Sequence, residues 1–380
     1  MSPRPSAPRG PRPDRPVIKS AARARSAGAL LASVAVLAAM LTVMVPGAMA
    51  ASARTAFRVT SSGVAGKVQC RKQQPIKTPP LGVLKLARAG GKGGQPAATQ
   101  LPQVKLKPVC PPGEVPVTRP VKGVPDLGPR SANRGPSAQA SATNRPQTAG
   151  PPCDGTFEYG TCYYWAGAVD TRTDEGGGYT MIIEQPAVIG AGHSIEETYV
   201  SGGPGNNDAV EIGTGVFAGN PSPQLYVYHW INGNTTCYNG CGWQQISNTY
   251  YPGEYIPAMV GQSVYNGYVY YQGYWYAWFN DQWLGRFPGS LWSGQFQNSQ
   301  VVYWFGEVAT NNGVPPLTQM GNGLFASNPL AAPVSTLCDV NVKAWLCYYY
   351  DQQSLYQTDP KFYSVAHTGF GAIRLGGPGM

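Results

Sequence analysis

From Cys153 onward the chain is built of short apolar runs of strand length, rich in Tyr, Trp, Val, Gly and Asn and poor in helix formers. Gly178 to Gln185, Leu225 to Asn232, Tyr268 to Gln272, Tyr274 to Phe279 and Val301 to Ala309 carry this pattern most clearly. They are rich in Tyr, Trp, Val and Ile, and clusters of Gly, Asn and Pro punctuate them. Asn280-Asp281-Gln282 has the composition of a turn and closes one hairpin. No stretch sustains a 3.6-residue period long enough for a major helix. About 230 residues of this kind predict an all-β fold, a β-sandwich of many strands.

In two places a glutamate falls inside such a run: Ala209-Val210-Glu211-Ile212-Gly213 and Tyr303-Trp304-Phe305-Gly306-Glu307-Val308. Carboxylates are depleted from strand interiors, and one held in a low dielectric is costly unless paired, hydrogen-bonded or protonated. In the second stretch Val301, Tyr303, Phe305 and Glu307 share one face and Val302, Trp304 and Val308 the other. Glu211 has Val210 and Ile212 on the opposite face, with Ala209 and Gly213 as small neighbours that leave room for another chain. Two carboxyls facing each other have their pKa values pushed apart, which leaves one acid and one base in a single site. Spacing alone equally allows each glutamate to sit at a strand end and point to water.

Charge divides the chain. Residues 1–150 hold 23 Lys+Arg and 3 Asp+Glu, whereas residues 151–380 hold 5 and 16, so the net +9 describes neither part. A basic protein suggests nucleic acid, but here the basic residues lie outside the part able to build a core, and no nucleic-acid partner is expected. Residues 1–50 read as a secretory signal peptide: seven basic residues from Arg4 to Arg25, an apolar run from Ala27 to Val45, then Ala48-Met49-Ala50 as cleavage site. No stable membrane anchor is expected after its removal. Residues 51–125 form a basic pro-region, residues 126–150 a Pro-, Ser- and Ala-rich linker, and residues 151–380 the β-sandwich domain. With 16 basic and 2 acidic residues over 51–150, the pro-region is expected to dock on the acidic domain near neutral pH as an intramolecular inhibitor and to loosen in acid.

Eight cysteines in an exported chain read as disulfides. Local spacing suggests Cys237–Cys241, Cys153–Cys162 and Cys338–Cys347, which leaves Cys70–Cys110; other pairings stay open. No metal or cofactor is expected, because His193, His229 and His367 are the only histidines and none stands at ligand spacing from a cysteine pair. The same three are read as structural or surface groups.

The order of several short motifs resembles the neprosin family of glutamic endopeptidases. Val210-Glu211-Ile212-Gly213-Thr214 is similar to the family's Ile-Glu-Ala-Gly-Trp, and Ile195 to Gly202 to the stretch before it. Thr236-Cys237-Tyr238-Asn239-Gly240-Cys241, Tyr303 to Val308, and Thr318-Gln319-Met320-Gly321-Asn322-Gly323-Leu324-Phe325 are similar to further family blocks. Cys110 to Arg119 resembles a motif of the family's pro-region. The resemblance implies a double-sheet antiparallel β-sandwich, a propeptide removed on activation, and acid-active hydrolysis of polypeptides with a post-proline preference. It maps the two catalytic glutamates onto Glu211 and Glu307, with Gln319 as the candidate oxyanion donor. Thr214 and Phe305 depart from the family's Trp and Gly and touch the expected substrate cleft.

Other chemistries find less support. There is no Gly-x-Ser-x-Gly elbow and no His-Glu-x-x-His, and an even cysteine count argues against a free thiol nucleophile. A secreted glycoside-acting sandwich is the enzyme rival, with paired carboxyls and the aromatic stretch from Tyr268 to Trp283 to stack sugar rings. A non-catalytic carbohydrate- or surface-binding protein is the third reading.

Overall fold

The computed structural model describes residues 68–74, 76–79, 85–88, 106–118, 121–122, 156–158, 161–310, 316–349 and 353–379. The expected signal peptide, the linker and Cys153 lie outside these residues. The principal strands, in chain order, are β1 (Thr161–Asp170), β2 (Gly176–Ile182), β3 (Gly192–Gly202), β4 (Asp208–Phe217), β5 (Asn220–Ile231), β6 (Ser263–Tyr271), β7 (Tyr274–Phe279), β8 (Gln282–Pro288), β9 (Val301–Thr310), β10 (Ala332–Asn341), β11 (Leu346–Tyr349), β12 (Ser354–Gln357), β13 (Ser364–Gly369) and β14 (Ala372–Gly376). An eight-stranded sheet runs β5-β4-β3-β9-β1-β12, and a ten-stranded sheet runs β8-β7-β6-β2-β10-β11, with β14 joining β10 and β13. Short strands extend both, and these principal strands pair antiparallel. The fold is all-β, with only short 3-10 turns besides strands among the described residues.

Alternation along each strand builds the layers. Val302, Trp304 and Val308 of β9 meet Met181 of β2, Trp275 of β7 and Leu375 of β14 in the core between the sheets. The opposite parity on the first sheet gathers a second, aromatic cluster around Tyr199, Tyr226, Trp230, Tyr303 and Phe305. Phe279 and Gln282 pair across a two-residue turn, in which Asn280 takes the left-handed φ of 60°. The aromatic stretch from Tyr268 to Trp283 falls on the other sheet. Its Tyr268, Trp275 and Phe279 fill the core, and its Tyr276, Trp278 and Trp283 face outward there. Core packing therefore accounts for half of these rings, and none belongs to the cluster that holds the glutamates.

Segments of the basic region are woven onto the sandwich. Gln69–Lys72 pairs with Glu114–Val117, and a disulfide joins Cys70 to Cys110. Lys85–Arg88 runs parallel to β11, and Val121–Lys122 pairs with Cys237–Tyr238. Thr118 donates to the carbonyl of Pro252 (3.1 Å), and Tyr276 to that of Lys77 (3.0 Å). Among the described residues, these contacts are hydrogen bonds and strand pairing rather than ion pairs, and Arg71, Lys72, Lys77 and Lys107 are exposed. Disulfides also link Cys237 to Cys241 and Cys338 to Cys347. Cys162 is disulfide-bonded as well.

Burial of acids ties stability to pH. Glu254, in the loop before β6, has its carboxyl pushed up to about 8 by burial, opposed only by the Tyr251 backbone N–H. Below the ordinary carboxyl range folded and unfolded chains both hold this proton. As pH rises the unfolded chain ionises first, so the stabilisation is lost progressively up to about pH 8. His229 works at the acid end: burial lowers it to about 4, so it costs stability as pH falls below its ordinary value. Thermal melts are expected to show Tm falling as pH rises from 6 to 8. Glu254→Gln is expected to flatten that fall; an unchanged slope in this variant would remove Glu254 as its source.

Candidate active site

The outward face of the first sheet carries three glutamates on three adjacent strands. Glu211 lies on β4, opposite Tyr199 of β3 and Tyr228 of β5. Glu307 lies on β9, opposite Ile195 of β3 and Trp165 of β1. Between them on β3 is Glu197, opposite Gly213 of β4 and Phe305 of β9. The three positions step along one diagonal, each two residues from the next in register. Diagonal neighbours in an antiparallel sheet lie about 7–8 Å apart, within reach of long side chains. All three are buried: Glu197 and Glu211 at 0% exposure and Glu307 at 2%. The water-facing alternative for Glu211 and Glu307 is thereby excluded.

Each carboxyl meets a donor from an aromatic neighbour. Trp230 Nε1–H donates to Glu211 Oε1 (2.5 Å), and Glu211 Oε2 has no partner. Tyr226 O–H donates to Glu197 Oε2, and Glu197 Oε1 has no partner. Glu307 differs, because both its oxygens are engaged. Trp165 Nε1–H donates to Oε2 (2.6 Å), and His193 Nε2 lies 2.7 Å from Oε1. With its proton on Nε2, His193 donates as well. Burial raises the carboxyls of Glu211 and Glu197 well above the ordinary range; the charge of Glu307 adds to both, and that of Glu211 adds to Glu197. Close carboxyls of this kind titrate as a unit.

Gln319 is half-buried, and its Oε1 accepts the Ala187 N–H (3.0 Å) while its backbone N–H donates to the Ala187 carbonyl (2.9 Å). The next residue, Met320, packs under Gly306 from the core side of the sheet. Gln319 thus ties its loop to Ala187. Glu197 and His193 were missed in the sequence. Glu197 sits in a strand without apolar alternation, and His193 lies two residues before the Ile195 to Gly202 stretch, outside every motif. The one legible sign was the resemblance over Ile195 to Gly202, which placed this segment beside Glu211 in order. His229 bonds Thr236 (3.2 Å) and packs on Phe287, and His367 is exposed. Among the described residues no cluster of His, Cys, Asp and Glu forms a metal site.

Residues 191–378 match the family model described as Neprosin. No curated protein sequence matches the chain. Among solved structures, scytalido-glutamic peptidase with a transition state analog inhibitor is 10% identical, over 57% of this chain and 98% of that one, at a TM-score of 0.33. The same peptidase with a peptide-based transition state analog is 9% identical, over 57% and 98%, at 0.34. A β-porphyranase from the human gut bacterium Bacteroides plebeius is 9% identical, over 44% and 73%, at 0.22. Glu197, Glu211 and Glu307 all fall within the matched segment, and through residues 191–378 this chain belongs to the neprosin family.

Proposed function

We propose that this protein is a secreted, acid-active glutamic endopeptidase in which Glu307 is the base and Glu211 the acid. The observation that carries this is the unequal supply of donors. A carboxylate is acceptor-only, and N–H donors on both oxygens favour the charged form. With the His193 proton on Nε2, Glu307 has two such donors and Glu211 one. In hydrolysis, Glu307 takes a proton from water as its oxygen bonds to the scissile carbonyl carbon, and the carbonyl oxygen becomes an oxyanion. Glu211 then gives its proton to the leaving nitrogen as the C–N bond breaks. The proton gained by Glu307 returns to Glu211 through solvent, and the site is reset. Activity requires Glu211 protonated and Glu307 ionised. It is therefore lost at high pH as Glu211 deprotonates, above the ordinary carboxyl range because burial raises that group.

Membership of the neprosin family supports a polypeptide substrate, and the disulfides suit an exported chain. Post-proline preference and a zymogen with the basic region as inhibitor are further parts of the reading. Pairing of Val121–Lys122 with Cys237–Tyr238 favours the latter, because Tyr238 packs on Tyr226 and Tyr228 at the rim of the glutamate face. The test is incubation of the chain from residue 51 with a denatured, proline-containing protein from about pH 2.5 to 7.5, with every cut mapped by mass spectrometry. Cleavage in acid, with cuts after proline and within the linker, is expected. No cleavage at any pH after removal of the pro-region would return the glycan-acting reading to first place.

A further inference from the structure

We propose that Glu197 is a third functional carboxyl of this site, a neutral donor whose free oxygen stabilises the oxyanion formed at the scissile carbonyl. The proposal rests on the peptidase reading and supplies a part that reading lacks. Tetrahedral intermediates need preorganised donors where negative charge develops, and of Gln319, the expected candidate, the side-chain oxygen is held by the Ala187 N–H. Glu197 stands on the strand between base and acid, one diagonal step from each. Tyr226 fixes Oε2, whereas Oε1 is buried without a partner. An unmet polar atom in such a place costs stability, which a substrate oxygen would relieve.

The surroundings decide the protonation state. Facing Glu197 from its own strand are His193 and Tyr199, from β4 Glu211, and from β9 Tyr303 and Glu307. From β5 come Tyr226 and Tyr228, and at the two sides stand Tyr238 and Tyr356. Tyr199, Tyr226, Tyr238 and Tyr356 are raised well above their ordinary range by burial and stay neutral. His193 is committed to Glu307. Three neighbouring buried carboxyls cannot all ionise, and the one with both oxygens satisfied is Glu307. Glu211 and Glu197 therefore hold protons. Glu211 spends its proton on the leaving nitrogen, and Glu197 keeps its own as a hydrogen-bond donor, a known use of a buried neutral carboxyl. Glu196, the next residue, points to the core side of the sheet and takes no part.

The test compares wild type, Glu197→Gln and Glu197→Leu in the activated chain, with peptide cleavage followed from about pH 3 to 8 and infrared difference spectra recorded at neutral pH. Glu197→Leu removes the donor and is expected to lower kcat about 10²–10³-fold with little change in KM. Glu197→Gln keeps an N–H donor of the same shape and is expected to recover kcat to within about tenfold of wild type. Its profile should extend further to high pH, because one group that must stay protonated is gone. The spectrum of wild type minus Glu197→Gln should contain the C=O stretch of a protonated carboxyl. Full activity in Glu197→Leu, no recovery in Glu197→Gln, or absence of that band overturns the proposal. A wild type that cleaves nothing while showing the band sinks the peptidase reading and the oxyanion role with it, but leaves Glu197 as a buried neutral acid.

Discussion

Glu307→Gln is expected to reduce kcat/KM by at least about a thousandfold, with the fold intact. A positioned general base contributes about 10²–10⁴-fold, and an amide cannot take the proton of the attacking water. The substitution is unusually clean here. An amide oxygen can still accept the Trp165 N–H, and the amide N–H₂ can donate to His193 once the imidazole moves its proton from Nε2 to Nδ1. Nδ1 is buried without a partner, so the change of tautomer breaks no other hydrogen bond. Near-UV circular dichroism and Tm should therefore stay close to wild type while cleavage disappears. Glu211→Gln is expected to lose activity to a similar degree for the complementary reason. Its amide oxygen still accepts from Trp230, but no proton is available for the leaving nitrogen. Residual cleavage above about one tenth of wild type in either variant would show that the pair does not divide the chemistry as proposed.

The two substitutions should also move differently with pH. In wild type the alkaline limb reports loss of the proton from the neighbouring carboxyls Glu211 and Glu197, as macroscopic values of the group. Removing Glu307 takes one negative charge away from both Glu211 and Glu197, each of which that charge raises. Their titration in Glu307→Gln should then shift toward lower pH. Absence of that shift would separate Glu307 electrostatically from the other two.

How much of this was legible in the sequence follows from what each strand buries. β7 and β9 are short runs dense in Tyr, Trp, Phe and Val, and that composition reveals them directly. β3 is not so marked. Its Gly-His-Ser-Ile-Glu-Glu-Thr-Tyr-Val-Ser-Gly is buried along its whole length, yet two adjacent glutamates, a histidine and four hydroxyls hide any alternation. Such a strand survives because it is central, between β4 and β9, where the ladder satisfies its backbone. Glu211 and Glu307 stood out because they interrupt apolar strands; Glu197 did not, because nothing around it was apolar enough to be interrupted. Gln319 was placed by motif order alone, and order along the chain carries no geometry.

Gly213→Ala is expected to harm fold and site together. Gly213 lies opposite Glu197, and a Cβ there would stand 2.2 Å from the Glu196 carbonyl oxygen and 2.7 Å from Glu197 Cβ. The first of these is backbone, so relief requires β3 and β4 to move apart rather than a side chain to turn. Two residues on, a Cβ at Gly215 would meet Ile195 Cγ2 at 2.2 Å, so glycine recurs on β4 opposite both Glu197 and Ile195 of β3. Overpacking of this kind costs about 1–3 kcal/mol, which for a domain of this size lowers Tm by several degrees. Gly369→Ala is the control, since a Cβ there meets nothing within 4 Å, and its stability should stay within about 0.5 kcal/mol of wild type. The functional cost should exceed the structural one. Displacing β3 from β4 moves Glu197 away from Glu211, and positioning errors of about 1 Å in a catalytic group can cost about a hundredfold. A Gly213→Ala variant that melts like Gly369→Ala and cleaves like wild type would mean that β3 and β4 are less closely apposed than their register requires. The small residues beside Glu211 would then serve an approaching substrate alone, and not the carboxyl that crosses over them.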